Sequence, residues 1–255
     1  MKILFIGDSL VKGTVGVNWV KWLASKNPGW EIENAGKNGE TLTQITARLK
    51  KKLGSDRYDM IFFEAGINDL LLPAFRSKSY FFRQAEKYTA CRAQACENAE
   101  VFEQTYREAV QTIKNSSQAT IILSTLGCLN ENLEYHLNKK RCAFNDIIRD
   151  VAIETGCGLV DAGALFDGYL RRCRTKDYLL ESFLNTWCFD KFQCTVLGSP
   201  DYLSKKRGLH LTIDGVHLNT RGANIFRDET ERQIKSVISG FASGHKHKLN
   251  SIESF

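Results

Sequence analysis

Residues 2–10 read KILFIGDSL. The apolar run Ile3 to Ile6, closed by Gly7, has the composition of a buried strand, and a helix is expected after it. The next segments continue that alternation. In residues 17–24 (VNWVKWLA), Val17, Val20, Leu23 and Ala24 fall on one helical face, and Asn27, Pro28 and Gly29 stop the helix. Residues 30–34 (WEIEN) alternate as a second strand. Thr41 is placed to cap a helix that keeps Leu42, Ile45 and Leu49 on one side, with Arg48, Lys50, Lys51 and Lys52 complementing its C-terminal end. Residues 58–64 (YDMIFFE) make a strong third strand.

An irregular stretch follows, then a helix over 99–113 and a strand over 120–124 (TIILS). A helix over 139–154, marked by Ala143, Ile147, Val151 and Glu154, precedes a short strand at 158–160 (GLV). The last helix is expected over 219–239. Strands alternating with helices imply an α/β fold, a five-stranded parallel sheet covered on both faces in three layers, α/β/α. With no repeat and no low-complexity linker, residues 1–240 read as one domain. Two segments break the alternation, at about 70–97 and 166–212, and are too long for ordinary connections. Residues 241–255 are expected to be a flexible tail.

Composition narrows the class. Of 255 residues, 43% are hydrophobic and 25% charged, with 19 Gly and 3 Pro, which excludes collagen-like and disordered chains. No apolar run approaches the roughly 18 residues of a membrane helix, and the first one is too short for a signal peptide. A cytoplasmic protein without stable membrane insertion is the expectation. Eight cysteines (Cys91, Cys96, Cys128, Cys142, Cys157, Cys173, Cys188 and Cys194) lack C-x-x-C spacing and read as reduced, mostly buried thiols; Cys91–Cys96 and Cys188–Cys194 are the pairs close enough in sequence to consider for disulfides. The net charge of +6 is concentrated: residues 70–96 carry +4 and residues 166–208 carry +3.

In an open parallel sheet, ligands bind beyond the carboxyl ends of the strands. The first strand runs into Gly7, Asp8, Ser9 and Leu10 (GDSL), the second into Asn34 to Thr41 (NAGKNGET), and the third into Gly66 to Asp69 (GIND). Asp214 to His217 (DGVH) stand just before the last helix. A serine hydroxyl needs an adjacent base to become a nucleophile, usually a histidine oriented by a carboxylate. Ser9, His217 and Asp214 supply those residue types, and the D-x-x-H spacing lets Asp214 fold back onto one ring nitrogen and leave the other for Ser9.

These four motifs, in this order, resemble those of the GDSL or SGNH hydrolase family. The resemblance covers roughly residues 1–69, 98–165 and 213–240, and the two basic insertions have no counterpart in it. It implies the flavodoxin-like sheet of SGNH hydrolases and hydrolysis of carboxylic esters or thioesters through an acyl-serine. It also implies an oxyanion hole made by the backbone N–H groups of Ser9 and Gly39 and the side-chain amide of Asn68. No cofactor and no metal are implied.

Other roles weigh against single residues. Ser9 alone would pass for a helix cap, Gly36 is read as a turn glycine, and Asp8 as a structural partner of the serine turn. Asp69 is read as tying its loop to its own backbone. His210, in LHLT, is read as structural, and Asp161 as a rival carboxylate that lacks the local spacing. His245 and His247 have no accompanying ligand at metal spacing. Residues 7–14 (GDSLVKGT) are not a phosphate loop, because Lys12 precedes Gly13. Aromatic and basic residues interleave at Phe75, Arg76, Lys78, Tyr80, Phe81, Phe82, Arg83 and Tyr88, but no nucleic-acid module accompanies them. The expected partner is a small-molecule ester or thioester; the basic insertions read first as solvated surface, with steering of an anionic substrate as the other reading; no nucleic-acid partner is expected. Acyl chain length and oligomeric state stay open. A carbohydrate O-deacetylase with the same triad is the alternative, and a non-catalytic binding protein on the same fold is a more distant one.

Overall fold

The computed structural model describes residues 1–76, 80–90, 94–182 and 185–250, apart from the side chains of 85–86, 88–90, 185–187 and 241–250. Lys78, Cys91, Arg92 and residues 251–255 therefore lie outside the described residues, as do the side chains of Tyr88, His245 and His247. Five strands, β1 (Lys2–Gly7), β2 (Glu31–Gly36), β3 (Met60–Phe63), β4 (Thr120–Ser124) and β5 (Gly158–Val160), form one sheet in the order β2-β1-β3-β4-β5. Every pairing is parallel, with Phe5 opposite Asn34 on one side and Phe62 on the other. This is the flavodoxin-like α/β/α sandwich expected.

Alternation along the strands sends successive side chains into two cores. Phe5 and Phe62 stack with ring centroids 5.0 Å apart and meet Trp19 of α2 (Trp19–Lys26), which in turn meets Phe226 of α11 (Thr220–Asn250). Phe63 points the other way, onto Tyr106 of α6 (Ala99–Ser116). There Phe102 of α6 stacks on Phe144 of α7 (His136–Thr155). Helix α3 (Leu42–Leu53) packs beside α6, and α8 (Ala162–Leu170) beside α11.

Several boundaries differ from the sequence reading. The serine turn opens a one-turn helix, α1 (Ser9–Lys12), before α2, because Gly13 takes a left-handed conformation and ends it. Asn18 then caps α2 by accepting from Lys21 N–H, so that helix begins at Trp19 rather than Val17. In α7 the buried face is Leu137, Arg141, Phe144, Ile148 and Val151, not the face marked by Ala143 and Glu154, which are exposed. Residues 70 and 166 lie inside helices. Those positions belong to α4 (Ile67–Phe75), which continues through Pro73, and to α8. The first insertion then adds α5 (Tyr80–Ala90), and the second adds a π-turn (Asn185–Asp190), α9 (Lys191–Thr195) and α10 (Pro200–Arg207). Helix α11 runs on to Asn250, past Gly240 and Gly244, which a helix interior tolerates at about 1 kcal/mol each.

Part of the basic excess is neutralised locally. Arg76 pairs with Glu97, and Arg207 with buried Asp190. Cys96, Cys128, Cys142, Cys157, Cys173, Cys188 and Cys194 are free thiols, so no Cys188–Cys194 disulfide forms. Only Cys96 and Cys128 of these are buried, which corrects the expectation of mostly buried thiols. Among the described residues no helix is long and apolar enough to cross a membrane.

Candidate active site

The chain order reverses across β1, with β2 on one side and β3 on the other, and the crevice above that reversal is where open α/β sheets bind ligands. Ser9 sits there as the first residue of α1. Asp8 caps this helix, its Oδ1 accepting from Leu10 N–H at 2.9 Å. Ser9 Oγ lies 3.1 Å from His217 Nε2, and His217 Nδ1 lies 2.7 Å from Asp214 Oδ2. Asp214 Oδ1 accepts from the backbone N–H groups of Val216 (3.1 Å) and His217 (2.8 Å). The serine and histidine expected from the D-x-x-H spacing are thus brought together from 208 residues apart.

Electrostatics suit this array to proton transfer. Burial disfavours the imidazolium of His217, but the Asp214 carboxylate, helped by Asp8 and Asp190, more than offsets it, and the ring is held above its ordinary value. Burial likewise acts against the Asp214 carboxylate, and His217 with two backbone N–H groups reverses it, so Asp214 stays below the usual range. Asp214 is 1% exposed, whereas Ser9 at 8% and His217 at 7% keep an opening toward solvent.

The other expected positions converge on the same edge. Gly39 has φ 74°, and neither its N–H nor that of Ser9 has an acceptor among the described residues. Asn68, on the first turn of α4, donates from Nδ2 to Glu40 O at 2.9 Å and to Asp8 Oδ2 at 3.2 Å. Turning one amide hydrogen toward a bound oxyanion therefore requires exchanging one of these bonds. Asp69 ties more than its own loop; its oxygens accept from Leu42 N–H (2.9 Å) and Cys96 N–H (2.8 Å), joining three segments. Gly36 is no turn glycine but the last residue of β2. Its lack of Cβ lets Lys12 of α1 cross against it. His210 Nε2 contacts Arg174 O, and Asp161 caps α8 and pairs with Arg149, so both stand outside the array.

Three supporting residues escape a motif reading. Arg48 does not serve the end of α3; it reaches Gly7 O (3.0 Å) and Ala35 O and pairs with Glu40, clamping the ends of β1 and β2. Its position three residues after Ile45, on the buried side of α3, is the signal for this. Glu131 accepts from the backbone N–H groups of His210, Leu211 and Thr212 and from the Thr212 hydroxyl, holding the segment that leads to Asp214. Arg207, paired with Asp190, donates to Ile213 O at 2.7 Å. The Arg207 contacts seat the second insertion on the loop that carries Asp214 and His217, and nothing in the local sequence announces them.

A model of the GDSL-like Lipase/Acylhydrolase family matches residues 5–225. No curated protein matches the chain. Among solved structures, the acetyl xylan esterase AlAXEase is 18% identical, with 91% of this chain and 98% of that chain covered and a TM-score of 0.63. The acetylxylan esterase Axe2 from Geobacillus stearothermophilus is 20% identical over 91% and 93% of the two chains, with a TM-score of 0.62; it has been solved as catalytic mutants in which a serine, an aspartate or a histidine is replaced by alanine. LAE5, an alpha/beta hydrolase enzyme from the metagenome of Lake Arreo, Spain, is 22% identical over 90% and 92%, with a TM-score of 0.59. At these identities the likeness establishes a shared fold.

Proposed function

The chain belongs to the GDSL-like Lipase/Acylhydrolase family and is an esterase of the serine-hydrolase type, and from that premise we propose that it removes acetyl or similarly short acyl groups from carbohydrate hydroxyls. In this reading residues 1–240 act as one catalytic domain. Ser9 is the nucleophile, His217 the general base and then acid, and Asp214 the carboxylate that orients the ring. The backbone N–H groups of Ser9 and Gly39 and the amide of Asn68 are the oxyanion donors.

The observation that carries the chemistry is the hydrogen-bonded chain from Ser9 Oγ through His217 to Asp214, at 3.1 and 2.7 Å. Ser9 Oγ attacks the ester carbonyl while His217 Nε2 takes its proton. The Ser9–carbon bond forms and the carbonyl π pair moves onto oxygen, where each oxyanion donor lowers the barrier by about 3–4 kcal/mol. Collapse expels the sugar oxygen, which receives the proton from His217. Water, deprotonated by the same ring, then releases acetate from Ser9 and restores the enzyme. The substrate class is supported by the two acetylxylan esterases that share this fold.

A second reading, hydrolysis of longer carboxylic esters or thioesters, has its own observation. Phe189, Phe192, Val196, Leu197 and Tyr202 are exposed on the insertion seated against the triad loop and offer apolar surface to an acyl chain. Turnover of acetylated xylose beside p-nitrophenyl acetate, butyrate and octanoate separates the two. Rates falling steeply beyond propionyl, and loss of all activity in Ser9→Ala, are expected. Rates that rise with chain length would replace the deacetylase reading by the second one, and activity retained in Ser9→Ala would refute the assignment of the nucleophile.

A further inference from the structure

Strand β3 carries only apolar side chains until it ends, and there the chain buries an acid: Glu64 follows Phe63 and is 1% exposed. It lies against the turn that bears Ser9. Asp8 N–H points to Glu64 Oε2 at 3.4 Å, the two carboxyl groups are in hydrogen-bonding contact, and a Cβ added at Gly7 would come within 2.8 Å of Glu64 Oε2. Among the described residues no cation pairs with either carboxyl. Two buried carboxyl groups in contact do not both ionise, because each has lost its hydration and the charges repel, so the pair retains a proton.

The hydrogen bonds identify which group holds it. Asp8 is an acceptor on both oxygens, from Leu10 N–H at Oδ1 and from the Asn68 amide at Oδ2. Glu64 receives only the long bond from Asp8 N–H, and its Oε1 is buried with no partner among the described residues. Such a site suits the carbonyl oxygen of a neutral acid far better than half of a carboxylate. Burial, reinforced by the Asp8 charge, accordingly holds Glu64 well above the usual carboxylate range, while burial raises Asp8 only to about 6. The remaining groups that face the pair do not reverse this order. The buried Tyr106 hydroxyl on α6 is neutral, His217 favours the Asp8 carboxylate, and Asp69 opposes it weakly.

We propose that Glu64 is a positioning residue of the esterase reaction, a neutral buried acid whose O–H is donated to Asp8 and so fixes the turn bearing Ser9 and the amide of Asn68. The inference rests on Ser9 being the nucleophile. Its mechanical content is specific: when Asn68 turns a hydrogen from Asp8 toward the oxyanion, Asp8 keeps Leu10 N–H and Glu64 O–H, and the turn does not relax.

The test compares Glu64→Leu, which removes the donor, with Glu64→Gln, which replaces it by an uncharged N–H donor. Glu64→Leu is expected to lower kcat about 10- to 100-fold with KM nearly unchanged, since misplacing a reacting group costs that much, and Glu64→Gln to recover most of it. In parallel, infrared spectra of wild type and Glu64→Gln at pH 7 should differ by the C=O band of one protonated carboxyl, present only in wild type. A Leu variant as active as wild type, a Gln variant as impaired as the Leu variant, or the absence of that band overturns the proposal; if the Leu variant does not fold, the band decides. Ser9→Ala distinguishes the failures: were it active, the nucleophile reading would fall, whereas an inactive Ser9→Ala beside an unimpaired Glu64→Leu sinks the role of Glu64 alone.

Discussion

Glu131→Gln probes how the triad loop is held, and the bond pattern sets the size of the effect. Glu131 is fully buried. Its Oε1 accepts from Leu211 N–H (2.8 Å), Thr212 N–H (2.7 Å) and the Thr212 hydroxyl (2.8 Å), and Oε2 accepts from His210 N–H (2.6 Å). Glutamine keeps one oxygen. If that oxygen stays with the three donors, the new amide faces His210 N–H, donor against donor, and a hydrogen bond to a charged acceptor worth about 1.5–3 kcal/mol is lost. The three bonds that remain also lose their charge assistance, which roughly halves each. A loss of about 4–7 kcal/mol follows, and in a chain of this size each 1 kcal/mol lowers Tm by about 2–4 °C, so a fall of at least about 8 °C is expected. Thr212 also accepts from Gly215 N–H and bridges to Leu218, so displacing it moves the turn that carries Asp214 and His217. Calorimetry at pH 7, with kcat/KM measured well below the lowered Tm, reads both consequences. A Tm within about 2 °C of wild type, with unchanged kcat/KM, would refute the claim that Glu131 holds this loop.

Two further outcomes follow from the same geometry. His217 must be neutral to accept the Ser9 proton and is held above its ordinary value of 6.5, so kcat/KM should rise with pH through a midpoint above 6.5; a midpoint below it contradicts the coupling to Asp214. The stability contribution runs oppositely. A raised histidine stabilises fully below 6.5 and loses that contribution as pH rises through its folded value, and a depressed Asp214 stabilises above 3.8 and loses it as pH falls, so the Tm advantage of wild type over Asp214→Asn should be largest between those values. Alkylation at pH 8 mapped by peptide mass spectrometry should label exposed Cys142 and Cys188 first. Burial pushes Cys96 up to about 11 and Cys128 well above its ordinary value, so early labelling of Cys128 in folded protein would contradict the burial of that thiol.

What could be read from sequence, and what could not, divides by the range of the interaction. GDSL, the glycine block, GIND and DGVH are contiguous, each follows a strand or precedes a helix, the rule for open sheets gathers the first three on one edge, and the D-x-x-H spacing joins Asp214 to His217, so the residues proposed for the site are visible in the sequence. The supports of those residues have no local pattern. Glu64 meets Asp8 across 56 residues, Arg48 meets Gly7 across 41, and Glu131 meets Thr212 across 81. The only sequence trace of the first two is a polar residue where an apolar one fits the period: Glu64 closing an apolar strand, and Arg48 on the Leu42–Ile45–Leu49 face. A buried acid without a cation costs free energy unless donors meet it. Glu131 meets four donors, whereas Glu64 meets one long one and keeps its proton instead. The same physical demand thus gives two solutions on either side of Ser9 and His217. One acid organises a loop by accepting four bonds, the other, neutral, organises a turn by donating, and substitution by glutamine should damage the first and spare the second.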